Sequence, residues 1–124
     1  MSSNLTPSAV NVFKGIVSRG TARAAVLGYP TINIPLNGAP VSGVYAAMVK
    51  IGEEEYEAAV FADKKRGVLE AHILDFSKDL YGWNVAVTLS KKIRETKRFA
   101  DDTSLKKAIT EDVLAVRAHF KSVV

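Results

Sequence analysis

The chain contains no cysteine, which excludes a disulfide framework, thiolate zinc sites and thiol catalysis, and fits a reducing cytosol. Nor does it hold an apolar run near the roughly 18 residues of a membrane span, so no membrane partner is expected. Histidine is scarce: His72 and His119 stand far apart and suggest no metal cluster. Charge of one sign is not in great excess either. Seventeen basic against thirteen acidic residues leave +4, which suits phosphate-bearing ligands but is too mild to indicate nucleic acid. Repeats and low-complexity tracts are absent. Residues 1–9 are polar and lack the basic-then-apolar order of a secretory signal, so they read as a flexible lead-in. The remaining residues, 10–124, are enough for a single domain with a real core and no staples. A cytoplasmic monomer is the expectation.

What is present centres on Leu27-Gly28-Tyr29-Pro30-Thr31-Ile32-Asn33-Ile34. Gly28 permits a backbone geometry closed to other residues, and Pro30 pushes Tyr29 towards extended conformations. In an extended segment Thr31 and Asn33 leave one face, with Ile32 and Ile34 on the other. A hydroxyl and a carboxamide oxygen side by side are neutral, hard ligands suited to a Mg²⁺ that carries phosphate oxygens. The plainer alternative is a turn leading into an ordinary strand.

Upstream, Asn11–Ser18 has the β-branched content of a strand, and Arg19–Ala25 is a small-residue loop with two arginines. Such a loop can close over a polyphosphate, although it lacks the lysine of a Walker A motif. Downstream, Gly43–Ile51 and Glu55–Ala62 read as a hairpin turned at Gly52-Glu53-Glu54. After the turn Asp63–Gly67 comes a strand from Val68 to Phe76, with Leu69, Ala71 and Ile73 on one face and Val68, Glu70, His72 and Leu74 on the other. Glu70, in the middle of a half-apolar face, is the candidate base. Its alternative is a solvent-facing strand residue, and for His72 a structural, hydrogen-bonded role is the better reading. Trp83–Leu89 alternates as a further strand. Lys91–Phe99 reads as a basic connector in which Arg94 and Phe99 could border a flat aromatic ligand. A helix over 103–120 carries Leu105, Ile109, Val113, Val116 and Phe120 on one stripe and reads as a packing helix. Five or six strands followed by one helix, without βαβ alternation, argue for a closed antiparallel barrel or sandwich with a helix laid against it.

In this order the motifs resemble the riboflavin kinase family, the domain that occurs alone in eukaryotes and as the C-terminal half of bacterial FAD synthetases. The resemblance rests on Gly15-Ile16-Val17, Gly20 and Arg23, on Leu27–Asn33 and Gly43–Ala46, on Leu69–Phe76 and Asp79–Gly82, on Ile93-Arg94-Glu95 with Lys97 and Phe99, and on Leu105–Asp112. It implies a mostly β fold: a closed six-stranded antiparallel Greek-key barrel with a C-terminal helix packed against it. It also implies transfer of the γ-phosphoryl group of ATP to the 5′-hydroxyl of riboflavin, giving FMN, with Mg²⁺. Glu70 then falls at the position of the catalytic base. Thr31 and Asn33 hold the metal and nucleotide phosphates, Gly15, Gly20, Arg23 and Tyr81 lie on the nucleotide side, and Arg94 and Phe99 border the flavin.

Two departures from the family pattern stand out. Arg23-Ala24-Ala25 replaces an Arg-Gly-Arg, and the stretch from Tyr56 to Glu70 lacks the Asn-Ile-Gly segment and second Pro-Thr that usually precede the catalytic strand. They motivate an alternative, a non-catalytic flavin- or nucleotide-binding module derived from the same fold. Thr31, Asn33 and Glu70 occurring together favour the kinase. An oligonucleotide-binding barrel, suggested by the basic stretch Lys91–Arg98, is disfavoured because stacking aromatics are scarce there.

Overall fold

The computed structural model describes residues 12–19 and 25–122. Among the described residues seven strands, β1 (Val12–Ile16), β2 (Ser18–Arg19), β3 (Ile32–Pro35), β4 (Gly43–Ile51), β5 (Glu54–Asp63), β6 (Val68–Ile73) and β7 (Asn84–Arg94), precede the C-terminal helix, α1 (Asp102–Ser122). All pairings are antiparallel, in the order β1-β7-β4-β5-β6-β3-β2. β3 pairs not with β4, which follows it, but with β6.

The sheet curls until its two ends nearly meet, and Gly15 permits the approach. A Cβ at Gly15 would lie 2.9 Å from Pro35 Cδ and 3.3 Å from Ile34 Cβ, so β1 passes β3 at a distance no side chain allows. The result is the expected mostly β, nearly closed barrel, with seven strands instead of six. The extra strand is the two-residue β2, set off from β1 at Val17, whose N–H and C=O bond Trp83 O and Gly82 N instead of a ladder partner.

Period-2 alternation decides which side chains fill the barrel. Ala47, Val49 and Ile51 of β4, Ala58, Val60 and Ala62 of β5, Leu69, Ala71 and Ile73 of β6, and Val85, Val87 and Leu89 of β7 point inward. The outward residues of β4 and β5 include Ala46 and Ala59, paired directly across the strands. These two small side chains leave room for α1, which seats Val116 against Ala46 and Leu74 with Val113 and Phe120 beside it. Burying a valine such as Val116 contributes about 1.5–3 kcal/mol. A surface ion pair fastens the same helix: Arg117 donates two hydrogen bonds of 3.0 Å to Asp75. Those bonds, then the guanidinium charge, hold the Asp75 carboxyl below its ordinary range.

β7 runs to Arg94, so Lys91–Arg94 belongs to a strand and the connector begins at Glu95. Opposite it, Gly43 (φ 107°) lets β4 pass the Arg94 carbonyl, which a Cβ there would approach to 2.7 Å. Among the described residues no helix is long and apolar enough to cross a membrane.

Candidate functional site

The face of β3 and β6 that turns away from the core carries the polar residues. Ile32 and Ile34 pair with Ala71 and Leu69 on the inner face, and the same register sets Asn33 directly opposite Glu70 on the outer one. Both are buried, at 7% and 8% exposure, which is unusual for an amide and a carboxylate on an outward face. Thr31, two residues before Asn33, donates its hydroxyl to Glu70 Oε2 at 2.7 Å. Thr31, Asn33 and Glu70 are thus brought together by one strand pairing.

The segment leading into β3 is held from two sides. The Pro30 carbonyl can only accept, so the 2.8 Å contact with His72 Nδ1 fixes a proton on that nitrogen. His72 therefore has the structural role. The Tyr29 ring stands edge-on to His72, with centroids 5.2 Å apart. Its hydroxyl lies 2.6 Å from Thr110 Oγ1; Thr110 gives its own proton to the Lys106 carbonyl, so tyrosine is the donor. Together these contacts tie the segment to β6 and α1.

Over this face lies a cavity of about 510 Å³, within the range of small-molecule sites. Its barrel side includes Thr31, Phe61, Arg66 and Glu70, and its cover is formed by Arg94–Phe99 and the N-terminal half of α1 through Leu105, Ile109 and Asp112. Phe61, Phe99, Leu105 and Ile109 give apolar surface suited to a flat ring. Arg94 grips Asp112 through Nε–Oδ1 and Nη2–Oδ2 contacts of 2.8 Å and lies 5.6 Å from the Phe99 ring centroid. Two residues earlier on the same strand, the hydrogen bond to Glu95 holds the Lys92 ammonium above its ordinary pKa.

The other expected site residues are spread more widely. Gly15 serves the packing of β1 on β3. Tyr81 is 58% exposed and lies outside the cavity lining, with the Arg19 guanidinium 4.6 Å above its ring. Gly20 and Arg23 fall outside the described residues. α1 does more than pack, since its first half closes the cavity.

Two residues escaped sequence reasoning. Asp112, 6% exposed, sits three residues after Ile109 and four before Val116, so an acid inside the apolar stripe was the available signal. Arg66 carried none, because Lys64-Lys65-Arg66-Gly67 reads as any charged turn.

A divalent cation suits these donors. Asn33 Oδ1 is buried and has no hydrogen-bond partner among the described residues, and the Thr31 oxygen, its hydrogen given to Glu70, keeps its lone pairs. Both are neutral hard oxygens of the kind that Mg²⁺ accepts. No group of three or more His, Cys, Asp or Glu side chains able to hold a metal exists among the described residues. An ion here would therefore draw most ligands from phosphates and water.

Comparison with known proteins bears on the family and the fold. The flavokinase family profile, described as riboflavin kinase, matches residues 9–120. The bifunctional riboflavin kinase/FMN adenylyltransferase of Escherichia coli (strain K12) is 38% identical over 115 residues, covering 86% of this chain and 37% of the relative. The chain thus spans little more than a third of the length of such curated relatives. Among solved structures, a Streptococcus pneumoniae protein described as a macrolide-efflux protein superposes with a TM-score of 0.74 at 30% identity, over 86% of this chain and 38% of that one. Riboflavin kinase from Trypanosoma brucei shares the fold with a TM-score of 0.64 at 22% identity, over 90% of this chain and 80% of that one. With the matched profile spanning nearly all of it, the chain belongs to the riboflavin kinase family.

Proposed function

We propose that the chain is a riboflavin kinase, transferring the γ-phosphoryl group of ATP to the 5′-hydroxyl of riboflavin to give FMN and ADP. The observation that carries this reading is the Thr31–Glu70 hydrogen bond beside the unpartnered Asn33 Oδ1, beneath an apolar-walled cavity. Glu70 accepts the proton of the ribityl 5′-hydroxyl as that oxygen bonds to the γ-phosphorus and the bond to the β,γ-bridging oxygen breaks. Thr31 fixes the Glu70 rotamer through Oε2. Thr31 and Asn33 would hold Mg²⁺, which offsets the negative charge of the nucleotide phosphates when bound.

Arg94, held by Asp112, and Phe99 border the isoalloxazine. On the nucleotide side we place Gly15, Gly20, Arg23 and Tyr81, the last with the Arg19 guanidinium over its ring. The proposed acting unit is a cytoplasmic monomer.

The test is to incubate the purified chain with riboflavin, ATP and Mg²⁺ and separate the flavins by chromatography. FMN formation that requires the metal, with turnover lowered about 10²-fold or more in Glu70→Gln while riboflavin binding persists, is the expected outcome. Riboflavin bound without FMN formed would replace the kinase with the binding module. An equally fast Glu70→Gln variant would remove Glu70 from the reaction.

A further inference from the structure

The turn between β5 and β6 is the part of the chain that departs most from the family pattern, and it is built around one cation. Asp63 accepts the Arg66 N–H through Oδ1 at 3.2 Å, while its Oδ2 stands 3.2 Å from Arg66 Nε. The Asp63 carbonyl accepts from Gly67 N at 2.9 Å, and the Gly67 carbonyl in turn accepts from Leu36 N at 2.9 Å, tying the turn to the exit of β3. One carboxylate thus shapes the turn and orients the guanidinium on it. The remaining end of that guanidinium enters the cavity, where Arg66 Nη2 lies 3.6 Å from Glu70 Oε1. Arg66 keeps 42% side-chain exposure at the mouth, whereas Glu70 keeps 10%.

A base must lie within about 3 Å of the hydroxyl it deprotonates. The reacting phosphorus is next to that hydroxyl, so its equatorial oxygens pass within a few ångströms of Glu70, on the side where the Arg66 guanidinium stands. An arginine fork placed against those oxygens matches their charge and spacing. We propose that Arg66 is a catalytic residue of the phosphoryl transfer, binding the γ-phosphoryl oxygens as charge spreads over them, with Asp63 as its positioning residue. This inference rests on the kinase reading. It also gives the short turn a purpose: the trimmed connection delivers a cation to the mouth that it leaves open.

The experiment compares wild type, Arg66→Gln, Arg66→Lys and Asp63→Asn in steady-state FMN formation, with riboflavin affinity read by fluorescence quenching and folding by thermal melting. Loss of the fork is expected to lower kcat about 10²-fold with riboflavin affinity unchanged. Lysine should restore part of the rate, added guanidinium ion should partly rescue the glutamine variant, and Asp63→Asn should fall between. A kcat for Arg66→Gln within twofold of wild type, or a melting shift with kcat intact, would overturn the role while leaving the kinase reading in place. A wild-type chain that binds riboflavin but makes no FMN would overturn both.

Discussion

Replacing Asp112 with alanine tests whether the cover of the cavity is held by one buried ion pair. Asp112 is 6% exposed, and it receives two hydrogen bonds of 2.8 Å from Arg94. A hydrogen bond to a charged group contributes ~1.5–3 kcal/mol, and stranding one partner of a buried pair costs ~3–5 kcal/mol. Arg94 keeps 28% side-chain exposure, so water recovers part of that loss, and a net destabilisation of ~2–3 kcal/mol is expected. For a domain of this size that lowers the melting temperature by about 8–12 °C. Because Arg94 also faces Phe99, the wall against the flavin should loosen, raising the KM for riboflavin about tenfold with a smaller change in kcat. Chemical denaturation of Asp112→Ala, Arg94→Met and the double variant closes a cycle whose coupling should be ~2 kcal/mol. Coupling near zero, or an alanine variant with unchanged melting and unchanged KM, would refute the argument.

Asn33→Ala should raise the Mg²⁺ concentration needed for half-maximal velocity about tenfold. Its stability should change by less than ~1 kcal/mol, because the oxygen removed has no hydrogen-bond partner among the described residues; metal titrations and melts read the two effects separately. Gly15→Val pushes a Cβ to 2.9 Å from Pro35 Cδ and should cost ~1–3 kcal/mol as overpacking at the barrel seam, visible as a lower denaturation midpoint. Arg117 lowers the Asp75 pKa, so the pair stabilises the fold above the ordinary aspartate pKa of about 3.9, and this contribution is lost as pH falls through the folded value. Asp75→Asn, which tolerates the positive φ of 56° there, should therefore melt earlier than wild type at pH 7 and converge with it once the pH is below the folded Asp75 value.

The limits of β4, Gly43–Ile51, and the course of α1 were legible because their periodicities are unbroken. β7 was not, beyond Leu89. Its pairing with β4 steps from Leu89 to Lys91 and from Lys92 to Arg94, bypassing Ser90 and Ile93. Each such bulge resets the inward–outward alternation, and two of them within five residues make a strand read as a basic connector. β2 was hidden for another reason, since two residues are too few to show any period. In the site, Thr31, Asn33 and Glu70 announced themselves through chemistry out of keeping with a strand. Arg66 and Asp112 did not, because what marks them is a partner distant in space or on a turn that reads as surface.

The register that joins β3 to β6 makes the core and the site inseparable. Side chains alternate with a period of two, so seating Ile34 against Leu69 and Ile32 against Ala71 inside the barrel forces Asn33 and Glu70 to meet outside it. Sliding β3 by one residue would carry the Asn33 amide into the apolar interior and bring Ile32 and Ile34 out, and sliding β6 would carry the Glu70 carboxylate in and bring Leu69 and Ala71 out. The desolvation cost of that exchange, several kcal/mol for the carboxylate alone, holds the register in place. Asn33 and Glu70 thus owe their alignment to the hydrophobic residues of the barrel interior. Thr31 and Pro30 extend it beyond the strand, Thr31 by its bond to Glu70 and Pro30 by its bond to His72. Both partners lie on the outward face of β6, two residues apart, so a single strand sets the spacing of the whole segment.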